Sequence, residues 1–224
     1  MKVSPIELRH KLHQNPELAF QEFETTKLLI KSIKAVDVSK KIKIHTPYKT
    51  GLLAEYKVNN EPYLLFRADI DALPIKEETN AKFKSKKKEL MHACGHDVHT
   101  STLFSFLQYV LANKVQKNIL FLFQPAEENG GGAMEFYGTK IFDKFKIQNA
   151  FALHVTDEYP FGTIASTNGV LFASSLEINV DFTGVSAHVA FPAEGKNAFN
   201  ALRLFLDSVD KFPKDVEEPF IFGV

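Results

Sequence analysis

Five consecutive apolar residues, 119–123, limit most strongly what this chain can fold into. The run is far too short to cross a bilayer, which takes about 20 apolar residues in a helix. Apolar side chains at every position are typical of a strand that is buried on both faces. Residues 150–155 repeat the pattern, and helices are predicted over 97–112 and after Gly130–Gly132. Strands alternating with helices predict an α/β fold with a mixed, largely parallel sheet flanked by helices.

Shorter strands are predicted before the central run, at residues 41–45, 52–58 and 63–68. Asn59 and Asn60 separate the last two strands. Because such a pair favours a tight turn, we expect these two strands to form a hairpin. A helix is predicted further upstream, over residues 21–34.

The pattern of apolar residues changes near Ser174. Apolar side chains then alternate with polar or smaller ones, at Leu176, Ile178, Val180 and Phe182. This alternation predicts a half-buried strand in a new sheet, and a helix is predicted over 196–211. We therefore expect two domains, residues 1–173 and 174–224. The apolar stretch 221–224 lacks a cap or a polar tail, which suggests that the second domain is truncated.

Composition excludes several classes of protein. The 224 residues include 27 Lys and Arg and 27 Asp and Glu, and this zero formal net charge argues against nucleic-acid binding through bulk charge. The single cysteine excludes a disulfide within the chain and favours a reducing compartment. Residues 1–10 contain no apolar stretch, so we expect no secretory signal, no membrane partner and a cytoplasmic location.

The segment 91–99 carries the strongest local signal for a metal site. Five side chains that can bind metals lie within eight residues, and they are His92, Cys94, His96, Asp97 and His99. Thiolates and imidazoles are good ligands for zinc and similar ions. Gly95 allows a sharp turn that can aim Cys94 and His96 at one point. The alternative is a loop with incidental histidines and a reduced core cysteine.

Acidic side chains follow the central strand, where Gln124-Pro125-Ala126 leads into Glu127 and Glu128. Active sites in open α/β sheets lie beyond the carboxyl ends of the strands. Neighbouring side chains point in different directions, so one carboxylate can bind a metal while the other acts as a general base. The alternative is a solvated pair at a helix start, where the helix dipole favours negative charge.

Two further strand ends carry side chains of the same kind. Asp69 and Asp71 end one strand, and residues two apart in an extended chain share a face. His154 ends the strand 150–155, although a lone histidine there is more often a satisfied buried residue than a ligand. Three predicted strand ends and one loop thus carry side chains that can bind metals, which are Asp, Glu, Cys or His. This pattern predicts two metal ions about 3.5–4 Å apart that activate a shared water and polarise a carbonyl.

Four motifs, at 12–18, 67–74, 91–99 and 124–128, resemble those of a metal-dependent amidohydrolase and carboxypeptidase family. This family includes aminoacylase, hippurate hydrolase and plant auxin-conjugate hydrolases. The resemblance covers essentially the whole chain, and the combination is specific although each motif alone is not. It implies a di-metal peptidase-like catalytic domain, followed by the start of a smaller α+β lid and dimerisation domain.

The resemblance also implies roles for particular residues. It implies two divalent ions (zinc, manganese, cobalt or nickel) and four ligands, which are Cys94, His96, Glu128 and His154. Glu127 would be the general base. Asp69 and Asp71 lie where the family has a supporting catalytic acid, and which of them serves stays open. His188 would stabilise the oxyanion in a neighbouring subunit of a homodimer, the alternative being a turn residue on the lid surface.

Within the family, residues 152–165 and 169–173 are most similar to a branch that removes acetate from an N-acetylated diamino diacid on the route to lysine. One alternative is an N-acyl amino acid amidohydrolase of other specificity, such as an aminoacylase or hippuricase. Two others are a metal-binding or interaction module without catalysis and an inactive fragment that only packs or dimerises. The adjacent Glu127 and Glu128 argue against a binding module, which needs no spare base.

Family members are longer than this chain, and a further metal-binding histidine comes from their C-terminal part. No candidate for that histidine follows His188 here. We therefore expect a partial enzyme, and the activity of these 224 residues by themselves stays open.

Overall fold

The chain divides into two compact units, Met1–Gly162 and Thr163–Val224. The computed structural model describes residues 3–128, 131–172 and 178–211. The helices of the first unit are α1 (Pro5–Gln14), α2 (Phe23–Val36), α3 (His96–Asn113) and α4 (Gly132–Gly138), with a 3₁₀ helix at Ile141–Lys144. Its strands are β1 (Ile42–His45), β2 (Leu52–Tyr56), β3 (Tyr63–Asp69), β4 (Asn118–Gln124) and β5 (Ile147–Ala152). None of the helices in the described ranges has the length and apolar character that a membrane span requires.

The five strands form one sheet in the order β1-β2-β4-β3-β5. Strand β4 lies at the centre, antiparallel to β2 and parallel to β3. At the two ends of the sheet, β1 is antiparallel to β2 and β5 is parallel to β3. The predicted α/β fold with a mixed sheet flanked by helices is confirmed. Its parallel pairs are those of β3 with its two neighbours.

Alternate side chains of β4 enter two separate apolar cores. Ile119, Phe121 and Phe123 pack with apolar residues of α1, α2 and α3. Leu120 and Leu122 point to the other face and pack with α4 and the 3₁₀ helix that follows it. Burying one such side chain contributes about 1.5–3 kcal/mol. The position of β4 in the sheet is therefore strongly determined by its composition.

The predicted hairpin between β2 and β3 is wrong, because β4 lies between these strands. The buried side chain of Asn118, the first residue of β4, binds the connection that was expected to be the hairpin turn. Its Oδ1 accepts from the N–H groups of Val58 at 2.8 Å and Asn59 at 3.1 Å. Its Nδ2 donates to the carbonyl of Glu61 at 2.6 Å. The connection therefore closes around the start of β4.

The second apolar strand is also placed differently from the prediction. It was expected at residues 150–155 and buried, but β5 runs from Ile147 to Ala152 and is mostly exposed. Strand β5 is at the edge of the sheet, so only β3 pairs with it. Phe151 stacks on Phe66 with ring centroids 5.0 Å apart and is still 47% exposed. Apolar composition alone did not separate an edge strand from a central one.

The described part of the second unit contains a 3₁₀ helix, Pro192–Glu194, and helix α5, Ala198–Val209. Helix α5 lies within the predicted helix. The strand expected from Ser174 is absent from residues 178–182, where Ile178 is 72% exposed and no partner strand is found among the described residues. Leu176 and the apolar stretch 221–224 lie outside the described residues. The division at residue 173 stays a prediction.

A charged contact joins α1 to the first turn of α3. Nε of Arg9 and Nδ1 of His13 both donate to Oδ2 of Asp97, each at 2.8 Å. Nε2 of His13 lies 3.3 Å from a carboxylate oxygen of Glu77. The hydrogen bond to Asp97 raises the pKa of His13 above 6.5, and the charges of both carboxylates add to this rise against the opposing effect of burial. The protonated imidazole therefore ties the two helices together.

This contact predicts a pH-dependent loss of stability in His13→Ala. Because the pKa is higher in the folded state, the stabilisation is complete below pH 6.5 and is lost as the pH rises through the folded pKa. At about pH 5.5 we expect the variant to lose about 1.5–3 kcal/mol of unfolding free energy through this contact, and less at about pH 9. Urea unfolding across this range measures the difference. Leu12→Ala, which removes only apolar contacts, should show a constant loss, and a constant loss in His13→Ala would contradict the assignment.

Candidate metal centre

Helix α3 begins at His96, immediately after Cys94 and Gly95. Gly95 has a φ of +84°, in the left-handed region that glycine adopts without strain. A Cβ on Gly95 would lie 2.5 Å from Cγ2 of Val155, so the glycine also permits close approach of the segment after β5. This segment carries His154, whose Nε2 lies 3.4 Å from Sγ of Cys94. Ligand-type atoms of Cys94, His96 and His154 all lie within 4.8 Å of one another.

The end of β4 brings two carboxylates to the same imidazole. Nε2 of His96 lies 3.8 Å from Oε2 of Glu127 and 3.6 Å from Oε1 of Glu128. The turn before them depends on Ala126, which has a positive φ of 51°. The N–H of Ala126 donates to Oε1 of the buried Glu22 at 2.7 Å. Glu22 therefore fixes the backbone from which the two acidic side chains extend.

Among the residues that the structure describes, two buried polar atoms in this cluster have no hydrogen-bond partner, and they are Nε2 of His96 and Oε1 of Glu128. Buried polar atoms are nearly always paired, and the 3.6 Å between these two is too long for a hydrogen bond. An imidazole nitrogen and a carboxylate oxygen both bind zinc and similar ions. With Cys94 and His154 nearby, the residues present fit a divalent cation, which would satisfy both atoms.

Asp71 orients both of these groups. Its Oδ1 lies 3.2 Å from Nδ1 of His96, and its Oδ2 accepts the N–H of Glu128 at 3.0 Å. Burial alone would raise the pKa of Asp71. The hydrogen bonds from His96 and from the backbone of Glu128 outweigh burial and lower this pKa. An ionised Asp71 that accepts a hydrogen bond from Nδ1 of His96 keeps the ring proton on Nδ1 and leaves the Nε2 lone pair available for a cation.

Asp69 is held by a different set of contacts. Its Oδ1 lies 2.7 Å from Nδ1 of His99, and its Oδ2 accepts from Nη1 of Arg67 at 2.8 Å. Burial would raise the pKa of Asp69, but the hydrogen bond with His99 and the positive charges of His96 and Arg67 lower it. Asp69, His96 and His99 form a third group of ligand-type atoms within 4.8 Å, which is buried throughout.

The electrostatics of the cluster favour an added positive charge. Desolvation and the charges of the neighbouring carboxylates raise the pKa of the Cys94 thiol to about 12. Burial and the adjacent Glu127 raise the pKa of Glu128. Ionising these groups is costly while the negative charges have no cation between them. A bound divalent ion reverses this balance, because a coordinating thiol loses its proton.

The structure brings most of the side chains expected from the sequence to one place. These are Asp69, Asp71, Cys94, His96, Glu127, Glu128 and His154. His188 belongs to the second unit, where it is exposed and its Nδ1 accepts the N–H of Ala190 at 3.1 Å. The role of His188 stays a prediction, as do the individual ligand assignments.

Two residues of the site have no role that the sequence predicted. His99 was noted only as one of several potential ligands, and its spacing of three from His96 could have placed both on one helix face. Glu22 has no comparable signal, because its contact with Ala126 spans 104 residues.

Residues 65–223 match the model of peptidase family M20/M25/M40. The chain belongs to this family. Membership in the M20 family confirms the resemblance that the four sequence motifs indicated.

Several curated relatives share a name. The N-acetyldiaminopimelate deacetylase of Geobacillus sp. (strain WCH70) is 42% identical over 192 residues, which are 85% of this chain and 50% of the relative. The N-acetyldiaminopimelate deacetylase of Lactobacillus helveticus (strain DPC 4571) is 42% identical over 222 residues, 98% of this chain and 58% of the relative. The chain thus spans about half the length of the curated relatives it matches.

Solved structures of similar proteins share the fold. The Bacillus subtilis YXEP protein, a dinuclear metal binding peptidase from the M20 family, superposes with a TM-score of 0.68 and 37% identity over 74% of this chain and 46% of its own. A protein from methicillin-resistant Staphylococcus aureus superposes with a TM-score of 0.71 and 27% identity over 99% of this chain and 59% of its own. The mixed sheet with flanking helices is therefore the fold of M20 dinuclear metal peptidases.

The geometry predicts that Cys94→Ala lowers metal occupancy. Removing the thiol takes away one ligand-type atom of the group that contains His96 and His154. Elemental analysis after dialysis against Zn²⁺ measures the bound metal. His10→Ala is the control, because its ring stacks on Phe83 and belongs to none of the ligand groups. Unchanged occupancy in Cys94→Ala would make Cys94 a packing residue.

Proposed function

We propose that this protein is a metal-dependent hydrolase that converts N-acetyl-diaminopimelate to diaminopimelate and acetate, a step on the route to lysine. The substrate is the one in the name of curated relatives at 42% identity. The chemistry is supported by one observation: Nε2 of His96 and Oε1 of Glu128 have no hydrogen-bond partner within the described part of the chain, and they lie 3.6 Å apart beside the carboxylate of Glu127. This arrangement combines a cation site with a spare base.

On this proposal, four side chains hold two divalent ions of zinc, manganese, cobalt or nickel, and they are Cys94, His96, Glu128 and His154. Ions bound there supply a Lewis acid that polarises the acetyl carbonyl and lowers the pKa of water. Asp71 is the supporting acid, because it accepts from Nδ1 of His96 and from the N–H of Glu128. Asp69 instead acts on His99.

Glu127 is the proposed general base. Its side chain is 42% exposed, whereas that of Glu128 is 19% exposed, so Glu127 is the more accessible of the two to a substrate. The carboxylate of Glu127 accepts a proton from the attacking water and then donates this proton to the leaving amine. The water oxygen bonds to the acetyl carbon, the C–N bond of the amide breaks as the amine leaves, and the acetyl group is released as acetate.

His188 is proposed to complete the site of a second copy of the chain in a homodimer that forms through the second unit. An exposed imidazole in a tight turn can donate a hydrogen bond to the tetrahedral oxyanion. The exposure of His188 supports this proposal.

We expect Glu127→Gln to keep its bound metal and to lose turnover. The amide keeps the shape of the side chain but cannot accept the proton, and general base catalysis contributes about 10²–10⁴-fold. Acetate release and elemental analysis measure the two properties in the same sample. Glu24→Gln removes an exposed carboxylate that pairs with Lys27 on α2, and it should leave turnover unchanged. Equal turnover in Glu127→Gln and the unaltered protein would reject the assignment.

The proposed substrate predicts a specific preference among acylated amines. With added Zn²⁺, Mn²⁺ or Co²⁺, N-acetyl-diaminopimelate should be deacetylated with a higher kcat/KM than hippurate or simple N-acetyl amino acids. Removing the metal with a chelator should abolish the activity, and adding the metal back should restore it. A preference for hippurate would instead identify an amidohydrolase of other specificity.

A further inference from the structure

We propose that His99 is a positioning residue that holds the proposed ligand His154 in place, and that it is not itself a ligand. This inference rests on the proposed metal site. His99 is 1% exposed, and its ring contacts those of His96 and His154, with centroids 5.4 and 4.7 Å away. Its position makes it the obvious further ligand, so the case depends on what its two nitrogens do.

Both ring nitrogens of His99 are already engaged. The backbone N–H of Val155 donates to Nε2 at 3.0 Å, and an N–H group can only donate. Nε2 is therefore the acceptor, and the ring proton lies on Nδ1. Nδ1 donates this proton to Oδ1 of Asp69 at 2.7 Å. A neutral ring in this arrangement has no lone pair left for a metal ion.

Asp69 fixes this tautomer from the end of β3. Its second oxygen accepts from Nη1 of Arg67 at 2.8 Å, and its carbonyl accepts from Oγ1 of Thr100 at 2.7 Å. The carboxylate is thereby held in one orientation beside Nδ1 of His99. Because Asp69 can only accept while it is ionised, the proton stays on Nδ1 and Nε2 faces Val155.

The contact with Val155 acts on the residue before it, His154. The pairing of β5 with β3 ends at Ala152, two residues before His154. Beyond that point, the start of α3 contacts the segment after β5 in two ways. Nε2 of His99 accepts the N–H of Val155, and Val155 approaches Gly95 closely. These contacts place the imidazole of His154 beside Cys94, so His99 influences the metal site through backbone position.

Two substitutions separate this role from a structural one. In His99→Asn, the side-chain amide nitrogen lies where Nδ1 was, so the contact with Asp69 is kept and that with Val155 is lost. In His99→Gln, the longer side chain puts an oxygen near the place of Nε2, so the contact with Val155 is kept and that with Asp69 is lost. A buried Asp69 without its donor costs stability. We therefore expect His99→Gln to be the less stable variant and His99→Asn the weaker metal binder.

The test is a titration of the full chain with Co²⁺, in the unaltered protein, both His99 variants, His154→Ala, and the double variant His99→Asn with His154→Ala. Residues that orient metal ligands typically contribute about 10–100-fold to affinity, so His99→Asn should weaken Co²⁺ binding by that amount. His99→Gln should keep most of the affinity. In the His154→Ala background, His99→Asn should have no further effect, because the ligand on which it acts is gone.

The outcomes distinguish this inference from the proposed function. If His154→Ala leaves Co²⁺ affinity unchanged, the ligand assignment fails, and this inference fails with it. If His154→Ala weakens binding but His99→Asn does not, only the inference fails. If His99→Asn weakens Co²⁺ binding equally with and without His154, the inference is also overturned. It is overturned as well if the Co²⁺ affinities of the variants follow their free energies of unfolding.

A second measurement needs no variant. In the ¹⁵N-histidine-labelled chain, NMR reports which nitrogen of each ring carries the proton. The inference requires His99 to be protonated at Nδ1 and unprotonated at Nε2. Protonation at Nε2 would overturn it, because Nε2 could not then accept from Val155.

Discussion

The parallel pairing of β3 with β4 is the constraint on which the rest of the site depends. The pairing ends with Asp69 opposite Gln124, so the segments that follow β3 and β4 leave the sheet side by side. Asp71 then lies within hydrogen-bond distance of the backbone of Glu128. Because every residue of β4 is buried, sliding or removing this strand would expose both cores at once. The carboxylates of the site are therefore placed by the most strongly determined part of the fold.

The second constraint is electrostatic. Aspartates at the end of β3 and glutamates after β4 surround one buried imidazole, that of His96. Concentrating carboxylates in a poorly solvated place opposes folding unless positive charge is supplied. Arg67 and His99 hold Asp69, which leaves Glu128 and Cys94 without comparable neutralisation. A divalent cation accounts for this imbalance and for the unpartnered atoms with one physical cause.

Local patterns in the sequence were sufficient where local physics decides the structure. The central strand, the turn at Gly95 and the acidic strand ends each follow from a few adjacent residues. The hairpin prediction failed because strand order depends on where the most apolar strand is buried, which residues 52–68 do not encode by themselves. The tautomer of His99 was equally inaccessible, since it depends on the N–H of Val155, 56 residues away. The strand order and the tautomer both depend on partners that are distant along the chain.

The central claim is that side chains from four separate segments hold divalent cations around His96. Anomalous diffraction from crystals of the chain grown with Zn²⁺ tests this claim most directly. We expect a strong anomalous peak within about 2.0–2.3 Å of both Nε2 of His96 and Oε1 of Glu128. Zinc bound only at other places, or no peak between these two atoms, would contradict it.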